Sequence, residues 1–369
     1  MMRKTSWLAL GALSCLMAIE IVLHILPTPT ATRFGQYFDP FVTTYPAGLE
    51  FRSSTGWSML NAQWQRSNQY GFIPDQPFER SPEAVALIGD SLVEQSMLAP
   101  SRRLAAILQE ERGDAPVYAM GIPGSSLFDY LERIRYAREK LGIETFWIVI
   151  ERADVRESLC SGGVYTDACM DAKGEIMRVR KPPRGVLHDA LAHSSLLQYF
   201  LGVLRLSPER ILAVFRDSPA VAKAVAADPA SRAAALPPAQ SRVIDRFLDA
   251  LDAMKPVKVG LVIDPEVSAL RRQEEFADSS LAQMYRRAQQ RGIAVVHPWQ
   301  ALARESAETG LEMRVGPYDA HWNPLGNCVI AGEVLATLPA AAIHPDHGSG
   351  AGRSAAACVA LMAGLRRSP

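Results

Sequence analysis

The chain has 369 residues, 48% hydrophobic and 21% charged, with 39 Lys and Arg matched by 39 Asp and Glu. This composition excludes a disordered chain, and without a basic excess nothing points to a nucleic-acid partner beyond a local patch at Arg178 to Lys181. The length holds one large domain or two small ones with a sizeable core.

After Arg3 and Lys4 comes an apolar run, WLALGALSCLMAIEIVLHIL, from Trp7 to Leu26. About twenty residues match a hydrocarbon core of roughly 30 Å. The run predicts a single-pass transmembrane anchor over 7–26, with residues 1–6 in the cytoplasm. The chain is thus expected in the inner (cytoplasmic) membrane, its main domain in the periplasm or outside. A cleaved signal peptide fits less well, because no A-x-A-like site follows. Glu20 and His24 interrupt the run on one helical face, either reaching for headgroups or meeting another membrane protein.

Residues 27–82 lack sustained periodicity and read as an extended connecting segment. From Glu83 the pattern becomes regular. Val85–Ile88 is a strand, SRRLAAILQEERG a helix, PVYAM a strand, SSLFDYLERIRYAREKLG a helix and TFWIVI a third strand. Short links between alternating strands and helices predict a parallel α/β sheet. The order breaks over about 160–241, where HSSLLQYFLGVLRL and SPERILAVFRD are helical and Pro219 to Gln240 resembles a linker or lid. It resumes with the helix RVIDRFLDALDAM, the strand KVGLVI, a helix to Arg291, the strand IAVV and a last helix after Trp322. The whole is an α/β/α sandwich of about five parallel strands over 83–340, split by one helical insertion, with a weakly ordered tail over 341–369.

Five cysteines are present. Cys15 lies in the anchor, Cys328 in an apolar helical pattern and Cys358 in the tail, while Cys160 and Cys169 bracket CSGGVYTDAC and can pair in an oxidising compartment. So small a loop would contribute roughly 2–3 kcal/mol. No CxxC or Cys/His ladder points to zinc, and neither metal nor cofactor is expected.

In open α/β sheets, working residues collect at the carboxyl ends of strands. Here those ends carry Gly89-Asp90-Ser91, then MGIPGSS with Gly121, then ERADVRES with Arg152 and Asp154, and finally YDAHWNPLGN with Asp319 and His321. A serine at a strand-to-helix turn exposes its oxygen and stands where a helix N-terminus favours developing anions. Ser91 is the candidate nucleophile, His321 its base and Asp319 the group that fixes the imidazole tautomer. The amides of Ser91 and Gly121 are the candidate oxyanion donors. The bland alternatives are a helix-capping Asp-Ser pair and a structural histidine. His297, in VVHPW, reads as a histidine hydrogen-bonded beneath a loop, and Trp322 as packing that holds the His321 loop.

GDSLVEQ, GIPG and DAHWNPLG together resemble the SGNH/GDSL hydrolase superfamily, in particular membrane-anchored members from bacterial envelopes. The resemblance covers roughly 83–159 and 242–338, and NQYGF (Asn68 to Phe72) looks like the lead-in of anchored relatives. It implies a flavodoxin-like three-layer α/β/α fold and acyl-ester chemistry at Ser91, with Asp319 and His321 completing the triad. The third block departs from the pattern: Ala153 stands where relatives carry an asparagine oxyanion donor. Arg152 and Asn323 are candidate substitutes.

By this resemblance the chain is expected to act on an acylated carbohydrate or other ester, removing acetyl groups from envelope polysaccharide. A second expectation is an O-acetyltransferase working with a membrane acyltransferase partner. A third is a catalytically lapsed glycan-binding or scaffold protein of a polysaccharide export system.

Overall fold

Five apolar runs, Val85–Gly89 (β1), Val117–Gly121 (β2), Thr145–Ile150 (β3), Lys258–Ile263 (β4) and Ala294–Val296 (β5), form one wholly parallel sheet in the computed structural model. The structure describes residues 2–30, 35–73, 76–112, 115–162, 167–179, 193–204, 236–267, 270, 273–276, 278–316, 319–337 and 358. By its internal contacts the chain divides into two units. The larger comprises Phe34–Leu49, Ser67–Lys181 and Asp228–Pro369; the smaller comprises Met1–Arg33, Glu50–Arg66 and Pro182–Ala227.

In the larger unit the strand order is β5-β4-β3-β1-β2. This is the flavodoxin-like order, with its topological switch between β1 and β3. Every residue of β1 and β2 is buried, as uninterrupted apolar runs require when helices cover both faces. The helices are Ser91–Glu94 (α1), Leu104–Arg112 (α2), Leu127–Leu141 (α3), Pro238–Ala253 (α4), Ser279–Gln290 (α5), Trp299–Thr309 (α6) and Pro324–Ala336 (α7). The pleat sends Val85, Leu87, Val117, Ala119 and Val149 into one core with Leu104, Leu108, Leu302 and Val329 of α2, α6 and α7. Helices α3, α4 and α5 form the other layer. The glycine in KVGLVI has a packing reason: a Cβ at Gly260 would stand 2.5 Å from the ring of Trp147, its partner on β3.

Several sequence expectations differ from what is observed. Residues 27–82 are not simply extended. They contain two antiparallel hairpins, Gly35–Asp39 with Val42–Thr44 and Glu50–Thr55 with Leu60–Arg66, too short to show periodicity. Helix α6 and the hairpin Arg314–Gly316 with Asp319–Trp322 were not expected. Within the insertion, Ala168–Met170 and Ile176–Arg178 pair as a hairpin, and α4 begins inside the expected linker. The helix expected at SPERILAVFRD lies outside the described residues, as does the tail except for Cys358. Cys160 and Cys169 form a disulfide, and Cys328 is not merely a core residue but pairs with Cys358.

In the smaller unit, Met2–Ile25 is one helix of 24 residues. Among the described residues, no helix is long and apolar enough to cross a membrane. Glu20 and His24 shorten the uninterrupted apolar run to Trp7–Ile19, about 20 Å at 1.5 Å per residue. Both residues meet groups of their own chain. Glu20 accepts from the Ser195 and Leu196 amides at 2.7 and 2.8 Å and from Ser194 Oγ at 2.9 Å, and His24 Nδ1 lies 3.3 Å from Ser195 Oγ.

Candidate active site

Gly89 ends β1, and Asp90 caps α1 by accepting from the Leu92 amide at 2.9 Å. Ser91 is therefore the first residue of a four-residue helix at the β1/β3 switch. At the far end of the chain, α7 is capped by Asn323, whose Oδ1 accepts from the Gly326 amide at 2.9 Å, and the strand Asp319–Trp322 enters it. Trp322 is fully buried and donates Nε1–H to Asp264 Oδ1 at 3.1 Å, which holds the strand down.

These two local structures bring three side chains into line. Ser91 Oγ lies 2.8 Å from His321 Nε2, and His321 Nδ1 lies 2.5 Å from Asp319 Oδ1. The same Asp319 oxygen accepts from the His321 amide at 3.0 Å, so carboxylate and imidazole are fixed by one short loop. Burial lowers the His321 pKa, but the hydrogen bond and charge of Asp319, helped by Asp90 and Glu94, raise it on balance. Chemically, a hydroxyl beside a neutral imidazole whose other nitrogen faces a carboxylate can lose its proton as it attacks a carbonyl.

Gly121 is beside Ser91 for a reason other than open access. β2 pairs with β1 through Gly121 and Gly89, and a Cβ at Gly121 would stand 2.4 Å from the Glu94 amide nitrogen and 2.6 Å from the Asp90 carbonyl oxygen. The missing side chain makes room for the Ser91 turn. Tyr45 steadies that turn by donating its hydroxyl to Glu94 Oε1 at 2.8 Å.

The two candidate substitute donors are engaged elsewhere. Asn323 Nδ2 donates to the Glu312 carbonyl at 2.6 Å, and the exposed Arg152 pairs with Glu266 at 3.4 Å. Ala153 offers only its amide, which donates to Glu151 Oε1 at 3.2 Å. His297 stacks on Phe276 at 4.2 Å between centroids, and burial lowers its pKa to about 4.

Behind Ser91 lies a group of acids, two buried and one half-buried, that the sequence pattern does not show as a group. Asp90, Glu151 and Asp154 each offer a carboxylate oxygen within 4.8 Å of the others. Among the described residues this is the only such group spaced to accept a cation, yet Asp154 already accepts from the Glu151 amide at 2.8 Å and from Tyr130 at 2.9 Å. Burial, then the charges of Asp90 and Asp264, pushes Glu151 up to about 8; burial, then Asp90 and Glu151, raises Asp154. Arg133, fully buried on α3, donates to the Gly89 and Met120 carbonyls at 2.6 and 3.3 Å, beneath the ends of β1 and β2. A signal for it existed: a charged residue three after Tyr130 and four before Ala137, on the apolar face of α3. A groove of about 880 Å³ on the outer flank of α3, lined by Arg135, Arg138, Met177 and Arg178, touches none of the residues around Ser91.

A five-stranded parallel sandwich with a serine after its first strand and an Asp-x-His before its last helix is similar in arrangement to the SGNH/GDSL hydrolases. No protein-family model and no curated protein matches the chain. Similar solved structures include a member of the lipolytic protein G-D-S-L family from Veillonella parvula, 11% identical over 69% of this chain and 97% of that one, with a TM-score of 0.36. Another is LAE5, an α/β hydrolase enzyme from the metagenome of Lake Arreo, Spain, at 16% identity over 70% and 96% of the two chains, TM-score 0.36. A third is BT4096, a gut microbial diltiazem-metabolizing enzyme, at 11% identity over 70% and 47%, TM-score 0.32.

Proposed function

We propose that the chain is a serine acyl-ester enzyme in which Ser91 is the nucleophile, His321 the general base and Asp319 the group that orients the imidazole. The observation that carries this reading is the unbroken line from Ser91 Oγ to His321 Nε2 and from His321 Nδ1 to Asp319, at 2.8 and 2.5 Å, between elements 230 residues apart. Ser91 Oγ attacks the acyl carbonyl carbon as its proton passes to His321 Nε2. The oxyanion so formed is held by the Ser91 and Gly121 amides. It collapses by breaking the bond to the alcohol oxygen, which leaves with the proton from His321. The acyl-Ser91 ester is then attacked by a second hydroxyl, again deprotonated by His321, and the acyl–Ser91 Oγ bond breaks as Oγ takes the proton back from His321. Water yields free acid, and a sugar hydroxyl yields a new ester, so one set of residues serves a hydrolase or a transferase.

The compartment and substrate are part of the same proposal. Two disulfides support an oxidising environment, and the exposed apolar helix supports a lipid tether. An acetylated envelope polysaccharide outside the cytoplasm suits both, with a membrane acyltransferase as partner if the second hydroxyl belongs to sugar. A fluorophosphonate probe is the first test: it should label wild type and fail to label Ser91→Ala. Enzyme given an activated acetyl ester and candidate glycans then yields acetylated glycan by mass spectrometry if it is a transferase, and acetate alone if it is an esterase.

Ala153 favours one other reading, a glycan-binding or scaffold role without turnover, since neither Arg152 nor Asn323 stands in for the missing side-chain donor. A properly folded wild-type protein that resists the probe selects that reading.

A further inference from the structure

The N-terminal helix exposes apolar side chains all round. Leu8, Leu10, Leu13, Leu16, Val22 and Ile25 are each at least half exposed, and at about 100° per residue they fall roughly 40–80° apart around the full circumference. A protein partner would cover one face and leave the others in water. A medium that is apolar on every side is lipid.

This helix is joined at its carboxyl end to a second exposed apolar surface. Arg52 donates Nη1–H to the Leu26 carbonyl at 2.7 Å and Nη2–H to the His24 carbonyl at 3.2 Å, and Ser54 Oγ donates to the Pro27 carbonyl at 2.9 Å. Thr28 Oγ1 reaches Met59 Sδ at 3.5 Å. These bonds fix the hairpin Glu50–Thr55 with Leu60–Arg66 against the helix end. That hairpin carries Trp57 and Trp64, 63% and 71% exposed, and the exposed Leu60. Tyr199 donates its hydroxyl to the Trp57 carbonyl at 3.0 Å, which adds the turn Gln198–Val203 with its exposed Phe200. Exposed tryptophans with a polar N–H edge suit the headgroup level of a bilayer. The Arg52 guanidinium, 5.2 Å over the Trp64 ring, suits lipid phosphate. Glu20 and His24, the ionisable groups that interrupt the apolar run, are bonded within the same unit, as ionisable groups near lipid tend to be.

We propose that this unit is a lipid-seated collar, with the N-terminal helix in the acyl region and Trp57, Leu60, Trp64 and Phe200 at the headgroup boundary of the same bilayer. The inference rests on the membrane tether of the proposed function and is independent of the serine chemistry.

The test uses the full chain reconstituted with phosphatidylcholine–phosphatidylglycerol vesicles, with and without bromine on the acyl chains. Wild type should float with the vesicles, and bromine should quench part of its tryptophan emission. Of the exposed Trp7, Trp57 and Trp64, the variant Trp57→Phe/Trp64→Phe keeps one, so it should lose roughly two thirds of the bromine-quenched intensity while floating as before. Floating protein whose quenching is unchanged in that variant, with both tryptophans quenched by aqueous iodide instead, overturns the collar and leaves the tether standing. Failure to float overturns the tether itself. A detergent-stable dimer cross-linked through Trp57→Cys would make a second copy the occupant and overturn the lipid assignment.

Discussion

Gln95 and Asn327 face each other as paired amides: Gln95 Nε2 donates to Asn327 Oδ1 at 2.8 Å, Asn327 Nδ2 donates to Gln95 Oε1 at 3.1 Å, and both residues are fully buried. Gln95 Oε1 also accepts from the Leu104 amide at 2.9 Å, and Asn327 Nδ2 donates to the Arg102 carbonyl at 3.0 Å. One residue stands four after Ser91 and the other six after His321. The bridge therefore ties together the two elements whose tips must meet. Gln95 holds it at a φ of +49°, a left-handed conformation that costs a non-glycine residue on the order of 1 kcal/mol.

Gln95→Gly would relieve that strain and delete the bridge. Strain relief of about 1 kcal/mol offsets only part of the roughly 1–3 kcal/mol each for leaving Asn327 and the Leu104 amide without their partner, so the denaturant midpoint should fall while the protein stays folded in buffer. The rate of fluorophosphonate labelling at Ser91 should fall tenfold or more, since a misplacement of about 1 Å can cost a hundredfold. Adding Asn327→Ala removes one unsatisfied amide together with its bond to the Arg102 carbonyl, so it should recover at most part of the stability and none of the rate. Labelling at the wild-type rate in Gln95→Gly would reduce the bridge to ordinary core packing.

The pH dependence follows from His321. Its burial opposes the imidazolium, but Asp319 outweighs that and sets the pKa above the usual 6.5. A general base must be neutral, so kcat/KM for ester hydrolysis should be low in acid and rise as pH passes a value above 6.5. Asp319→Asn removes the raising partner. The acidic limb should then move to lower pH while the plateau drops on the order of 10³- to 10⁴-fold. A limb that stays in place in this variant would detach Asp319 from His321.

What was legible in the sequence was local. Continuous apolar runs announced β1 to β4, and Gly89-Asp90-Ser91 and Asp319-Ala320-His321 carry their chemistry within three residues each. The bridge between Gln95 and Asn327 was not legible, because two amides 232 positions apart carry no period. Helix α6 was missed because it buries only Ala301, Leu302 and Glu305, too thin a stripe to read. Cys328 looked like core because it is core, and only the fold brings Cys358 to it. Glu151 reads as a polar residue after a strand, and only the fold crowds it, half-buried, against the buried Asp90 and Asp154.

That crowding predicts a stability profile. Burial, with the charges of Asp90 and Asp264, lifts Glu151 from 4.5 to about 8 in the folded chain. A group with a raised folded pKa holds its proton better folded than unfolded, so its contribution is full below about 4.5 and is lost as pH rises toward 8. Urea midpoints measured from pH 5 to 9 should fall across that window. Glu151→Gln, which cannot ionise, should flatten the fall and be more stable than wild type at pH 9. An unchanged slope would place the titration on another group.

The vacancy at Ala153 is best tested by filling it. Ala153 stands three residues after the end of β3, which pairs with β1 ahead of the Ser91 turn. Removing one preorganised donor from such a site typically costs about 3 kcal/mol. Ala153→Asn should therefore raise kcat for p-nitrophenyl acetate about tenfold or more, with little change in KM, because the new bond forms mainly as charge develops on the oxygen. Ala153→Leu, of similar bulk and without a donor, should give no gain. If Asn and Leu behave alike, position 153 does not face the oxyanion, and the amides of Ser91 and Gly121 must hold it without a third donor from that strand.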